Sequence, residues 1–260
     1  MTNHRARKRF GQHFLTDQRV LRRLIEVIAP KPSDTLVEIG PGLGALTGPL
    51  LEAVNHVHAI EIDRDLARAL KEKYPPGKLT VHCVDALRFD FASIGSNLRV
   101  VGNLPYNIST EILFRLTAFS GSLNDVHVML QKEVVQRIVA RPSTKSYGRL
   151  TVMLQHRFHP VSLFLVPARA FSPPPKVESA VIALTPRDDS PGTDEPALAR
   201  VVTAAFNQRR KKLANALAAY LGEPDLRRLN INPMARAENL TGEEFARIAN
   251  LVARRTPSPP

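Results

Sequence analysis

Apolar positions recur along this chain in two alternating rhythms, one suited to helices and one to strands. Gln18 to Ala29 sets Val20, Leu21, Leu24, Ile25 and Ile28 on one helical face, and Pro30-Lys31-Pro32 closes that segment. Thr35 to Ile39 reads as a short buried strand, Leu43 to Ala53 as a helix and Val57 to Ile62 as a strand. The alternation continues through Arg64 to Lys73 (helix), Leu79 to Val84 (strand), Leu98 to Gly102 (strand) and Thr110 to Ser120 (helix). Asp125 to Leu130 predicts one more strand and Glu133 to Ala140 one more helix. Strands spaced by helices imply an α/β fold with a parallel, doubly wound sheet.

The pattern changes after Pro160. Val161 to Val166 and Val177 to Leu184 predict two strands around a proline-rich loop, a hairpin-like addition at one sheet edge. Pro186 to Pro196, rich in Asp, Ser, Pro and Gly, reads as a linker. Residues 197–260 read as helices only, clearest over Leu198 to Leu221 and Gly242 to Arg254, with a disordered tail from Thr256 to Pro260. Two domains are therefore expected, residues 1–190 with a basic N-terminal arm and residues 191–260 all helical.

The single cysteine, Cys83, excludes an intramolecular disulfide and any cysteine-based zinc cluster. It reads as a small buried residue beside a strand. Histidines 56, 58, 156 and 159 lack a third ligand at metal-binding spacing, so no metal is expected. Without a long apolar run or an apolar segment behind the basic N-terminus, a cytoplasmic protein with no membrane partner is expected. The net charge is +12 and is unevenly placed. Residues 1–23 hold seven Lys/Arg and one Asp, and residues 192–260 hold eleven Lys/Arg and seven Asp/Glu. Basic ends of this kind suit a polyanion, and nucleic acid before membrane because neither end carries an aromatic amphipathic helix.

The candidate chemistry lies where strands stop. Glu38-Ile39-Gly40-Pro41-Gly42-Leu43-Gly44 joins the first sheet strand to a helix, and its glycines let the backbone turn tightly beside a ligand. Glu61 follows seventeen residues after Gly44 at the next strand end, placed to bind ribose hydroxyls. Asp85 ends the third strand, where it can accept from an adenine amine. Asn103-Leu104-Pro105-Tyr106 ends the fourth. Read locally, those four residues also make a β-turn. Their chemistry suits a harder task, the methylation of an aromatic amine whose lone pair is delocalised into its ring. The Asn103 amide oxygen and the Leu104 carbonyl, its direction fixed by Pro105, can accept both N–H groups, and Tyr106 offers a flat face to the base. The glycine loop alone also satisfies a dinucleotide fingerprint, which keeps a nicotinamide enzyme in contention at this point. Glu38 argues against a pyrophosphate there and for a ligand carrying ammonium and sulfonium charge.

These motifs, with Lys8 to Leu15, Leu130 to Val135, Tyr147 to Leu150, Phe171 to Val177 and Phe206 to Lys211, resemble the rRNA adenine N6,N6-dimethyltransferase family over nearly the whole chain. Its bacterial small-subunit branch is the nearest. The resemblance implies a Rossmann-like S-adenosylmethionine-dependent methyltransferase sheet with a small all-helical C-terminal domain. It implies cofactor contacts from His13, Leu15, Glu38, Gly40, Gly42, Glu61, Asp85 and Asn103. Catalysis would fall to Asn103, Leu104 and Tyr106, with Phe171 closing the other face of the base. The family commonly has Asn where this chain has His13. Arg209, Arg210, Lys211 and Lys212 are expected to grip rRNA phosphates from the outside of a helix whose stripe Val202, Phe206, Leu213 and Leu217 faces inward. The implied activity is dimethylation of two adjacent adenosines in a 3′-terminal hairpin of 16S rRNA, by a monomer acting on a small-subunit assembly intermediate. The alternatives are a 23S rRNA dimethyltransferase of the macrolide-resistance type and a non-catalytic rRNA-binding assembly factor.

Overall fold

A computed structural model describes residues 12–187 and 192–255. Most of the basic arm, part of the proline-rich linker and the C-terminal tail therefore lie outside the described residues. Two compact units emerge, one of residues 1–135 and 160–186, the other of residues 136–159 and 187–260. The expected break at 190/191 thus becomes several crossings, because residues 136–159 join the helical unit.

In the first unit, β1 (Phe14–Leu15) leads into α1 (Gln18–Ile28), capped by Asp17 and ended by Ala29 in a left-handed conformation. Then follow β2 (Thr35–Ile39), α2 (Thr47–Ala53), β3 (Val57–Ile60), α3 (Arg64–Lys73), β4 (Leu79–His82), β5 (Leu98–Asn103), α4 (Ser109–Thr117), β6 (Leu123–Gln131) and α5 (Lys132–Ile138), at which the chain leaves the unit. α2 starts four residues later than its apolar pattern predicts. Gly44, at φ +80°, turns the loop where helical backbone was expected. After α6 (Arg149–Arg157), which the apolar pattern did not announce, come β7 (Phe158–Val166), β8 (Phe171–Ser172) and β9 (Ser179–Pro186).

The main sheet has the order β4-β3-β2-β5-β6-β9-β7. The five strands β4 to β6 pair in parallel, and β9 runs antiparallel to β6. The chain steps outward from β2 through β3 to β4, then returns to β5 on the other side of β2. That reversal opens a crevice at the carboxyl ends of β2 and β5, the usual ligand position in open α/β sheets. The two strands approach closely there: a Cβ on Gly102 would stand 2.4 Å from the Ile39 carbonyl oxygen. A second, two-stranded sheet pairs β1 with β8, setting Phe14 against Ser172 and Leu15 against Phe171.

The helical unit packs α6, α7 (Glu195–Asn207), α8 (Leu213–Ala216), α9 (Glu223–Arg228) and α10 (Gly242–Arg255) around their own apolar core. Tyr147 is buried in that core, near Phe206, and its hydroxyl donates to the Leu240 carbonyl at 2.7 Å. Burial holds its phenol well above the usual tyrosine range. The helix expected over Leu198 to Leu221 is broken between Asn207 and Leu213. The first amides of α8 donate instead to carbonyls of a distant loop, Leu213 to Ala235 at 2.7 Å and Ala214 to Pro233 at 3.2 Å.

Candidate active site

The crevice holds a cavity of about 380 Å³ whose wall includes His13, Leu15, Glu38, Gly40, Gly42, Glu61, Asp85, Asn103, Leu104 and Tyr106. Ten residues expected from separate motifs thus meet on one surface. The glycine loop bends through left-handed conformations at Gly40 (φ +69°) and Gly42 (φ +58°). A side chain at Gly42 would press on the Phe14 ring at 3.1 Å, so glycine there admits the N-terminal segment to the pocket wall.

The acids are held by neutral donors. Glu38 is 1 % exposed and accepts the Thr47 hydroxyl at 2.6 Å. Burial raises its pKa to about 7, the Thr47 bond opposes the rise, and nearby Glu61 adds to it. Glu61 spreads its two oxygens over the amides of Gly42 (3.1 Å) and Asp63 (2.9 Å). Its pKa is also raised, chiefly by burial. Neither carboxylate forms an ion pair among the described residues. Asp85 accepts from the Leu87 amide at 2.9 Å. Buried carboxylates without a cation are costly unless a ligand supplies the positive charge. This donor set therefore fits a nucleoside bearing ammonium and sulfonium groups.

At the end of β5, the Asn103 side-chain amide donates to the His13 carbonyl at 2.8 Å. Its Oδ1 is buried and accepts no hydrogen bond, an acceptor left for an incoming N–H. The Tyr106 hydroxyl is bonded to the Ser179 hydroxyl, and burial raises the phenol's pKa. The His13 imidazole stacks on the Tyr106 ring with centroids 5.6 Å apart and planes at 27°. Its Nδ1 donates to the Pro173 carbonyl at 2.8 Å.

Phe171 is not on the cavity wall. It is 3 % exposed and packs in the core beside Leu15, so in this state the ring facing Tyr106 is that of His13. Cys83, read as buried, is exposed just beyond the end of β4. Among the four cations, Arg210, Lys211 and Lys212 are exposed on the turn between α7 and α8. Arg209 differs from them. Its guanidinium donates to Glu238 at 2.6 Å and to the Lys145 carbonyl at 3.0 Å, which fixes the turn within the helical unit.

Sequence reasoning missed several wall residues. Leu43 and Ile62, each 44 % exposed, give the cavity apolar sides suited to a flat ring. Ile62 directly follows Glu61 at a strand end, a signal that was available. Behind the wall, Ser179 carried none, because its bond to Tyr106 spans 73 positions and only the fold unites the pair; Thr47 stands nine positions after Glu38, at the start of α2.

The family model described as ribosomal RNA adenine dimethylase matches residues 3–254. A ribosomal RNA small subunit methyltransferase A from Aromatoleum aromaticum is 53 % identical over 259 residues, covering 99 % of this chain and 98 % of that protein. Its counterpart from Thiobacillus denitrificans is 53 % identical over 254 residues, covering 97 % of this chain and 100 % of that protein. Among solved structures, a dimethyladenosine transferase from Plasmodium falciparum superposes with a TM-score of 0.79 at 25 % identity, covering 94 % of this chain and 98 % of that one. The 23S rRNA methyltransferase ErmE does so with a TM-score of 0.69 at 26 % identity, covering 92 % and 99 %.

Proposed function

The chain belongs to the ribosomal RNA adenine dimethylase family, and from that premise we propose that it transfers methyl groups from S-adenosylmethionine to N6 of two adjacent adenosines in a 3′-terminal hairpin of 16S rRNA. It acts as a monomer on a small-subunit assembly intermediate and dimethylates each adenosine. Relatives named small-subunit methyltransferases, matching end to end at 53 % identity, favour this over a 23S substrate.

The observation that carries the chemistry is the unsatisfied Oδ1 of Asn103. An exocyclic amine is a weak nucleophile until acceptors draw on its N–H groups. Asn103 Oδ1 takes one of these hydrogens and the Leu104 carbonyl the other, which draws the nitrogen lone pair out of the ring and frees it for attack. The cofactor, when bound, supplies a methyl group on a positively charged sulfur. Glu38, Glu61 and Asp85 would hold it, Glu61 through the ribose hydroxyls and Asp85 through the adenine amine. Tyr106 takes the face of the target base once it leaves its stack. The nitrogen gives up its proton to solvent after attack, so no side-chain base is required.

The deciding experiment is mass spectrometry of rRNA fragments from a strain lacking the gene. Dimethyladenosine should vanish from the 3′-terminal hairpin of 16S rRNA and return with the wild-type gene. Unchanged 16S modification, or a loss confined to 23S rRNA, would overturn the reading.

A further inference from the structure

We propose that the outer face of α1, together with the turn carrying Arg169, is a phosphate-binding surface that holds the RNA backbone beside the target adenosine. The inference rests on RNA being the substrate, and it adds a surface on the catalytic unit to the basic turn of the helical one.

Helical spacing creates the surface. Leu21, Leu24 and Ile28 are buried against the sheet, which leaves Arg19, Arg22 and Arg23, at i, i+3 and i+4, exposed on the opposite face. Arg19 and Arg22 make no ion pair among the described residues. The Arg23 guanidinium stands 4.2 Å above the centre of the Phe164 ring, which anchors this side chain to β7. Glu26 is the one carboxylate on the stripe, a turn further along.

Arg169 joins the same surface through the backbone. The Ala170 carbonyl accepts from the Thr16 amide (2.8 Å), the Asp17 amide (3.2 Å) and the Thr16 hydroxyl (3.1 Å). That ties the Arg169 turn to the residues just ahead of Arg19. His13, Leu15 and Thr16 line the cavity, so the arginines begin within one helical turn of its wall. A base turned out of its stack brings its own flanking phosphates to the rim of the site that receives it. Arginines at that rim fix register and orientation without reading sequence. The N-terminus of α1 plays no part in this, because the Asp17 carboxylate already occupies the amides of Arg19 and Val20. The exposed face of α3 is a useful contrast: Arg64, Arg68, Lys71 and Lys73 are interleaved there with Asp65 and Glu72, two carboxylates that each lie one helical turn from Arg68.

The test uses the full-length protein, a hairpin RNA containing the target adenosines, and titrations across a range of salt. Arg19→Glu with Arg22→Glu should weaken hairpin binding about tenfold or more near physiological salt. The milder triple variant Arg19→Gln, Arg22→Gln, Arg169→Gln should make the slope of log K against log salt shallower by about 2, since each lost phosphate contact removes about 0.7–0.9. S-adenosylmethionine affinity, measured by calorimetry, should stay at the wild-type value in both variants, as should the methylation rate at saturating RNA. Arg68→Glu with Lys71→Glu on α3 should leave RNA binding within about twofold. Wild-type affinity and salt slope in the α1 variants would overturn the proposal, as would an equal loss from the α3 pair. If the wild-type protein does not bind the hairpin, the same titrations use unmethylated small-subunit particles from the strain lacking the gene, and failure to bind or methylate those would remove the substrate reading, and this surface with it.

Discussion

Asn103 and His13 are ninety positions apart in sequence and 2.8 Å apart in space, the side-chain amide of one donating to the backbone carbonyl of the other. This bond commits the amide's only donor group to the N-terminal segment and so leaves Oδ1 as the end available to a substrate. Asn103→Ala should lower methyl transfer by about 100-fold or more, in the range seen when one aligned polar group is lost from a reacting centre. RNA affinity in gel-shift titrations should remain within about threefold of wild type. Dimethyladenosine yields like those of the wild type would remove Asn103 from the chemistry.

Glu38 makes the empty site sensitive to pH near neutrality. Its pKa in the folded protein is about 7, above the ordinary 4.5, so the proton favours the folded state. The stabilisation is complete below about pH 4.5 and is lost as pH rises through 7, amounting to about 3 kcal/mol in full. Thermal melts of the cofactor-free protein should therefore fall between pH 5 and 8, and those of Glu38→Gln should fall less. A cationic cofactor favours the ionised carboxylate, so its affinity should rise over the same interval. A calorimetric affinity independent of pH in the wild type would exclude this linkage.

Arg209 and Arg210 are neighbours with different work. Arg209→Ala cuts the contacts to Glu238 and the Lys145 carbonyl, and the folded state should lose about 1 kcal/mol or more. Arg210→Glu and Lys211→Glu touch no such contacts and should leave the melting temperature unchanged while weakening RNA binding. Calorimetry paired with filter binding separates the two effects. Equal melting temperatures for all three variants would deny Arg209 its structural part.

Gly102 is fixed by the closeness of β2 and β5. Its missing side chain leaves room for the Ile39 carbonyl oxygen, which a Cβ would meet at 2.4 Å. Gly102→Ala should destabilise the protein by about 3 kcal/mol and displace Asn103, the next residue. Denaturant titration should show the shift in midpoint. A midpoint equal to wild type would mean that the two strands separate freely.

Much of this site was legible because each acid and the Asn103 cluster mark the end of a strand, and in a parallel sheet such ends converge. Glu38, Glu61, Asp85 and Asn103 could be assembled from period and position alone. The basic stretch was harder. Val202, Phe206, Leu213 and Leu217 keep a helical spacing across the break, so the pattern reads as one helix; the carbonyls of Pro233 and Ala235 that start α8 are invisible to any local window. Phe171 was placed opposite Tyr106 on a motif, whereas pairing with Leu15 turns it into the core. His13 faces Tyr106 through the bond to Pro173, a relation set by tertiary structure and absent from the spacing.

The pairing of β1 with β8 also sets an order of events. A chain emerging from the ribosome presents its glycine loop and Asn103 long before it presents Phe171 and Ser172. Until those two residues arrive, Phe14 and Leu15 have no strand to join and the wall they contribute to the cavity is absent. A translation product halted before residue 171 thus carries every strand-end acid and the Asn103 amide, yet lacks a closed site. The closed site therefore waits for the chain beyond residue 171, and for Ser179, the partner of Tyr106, after that.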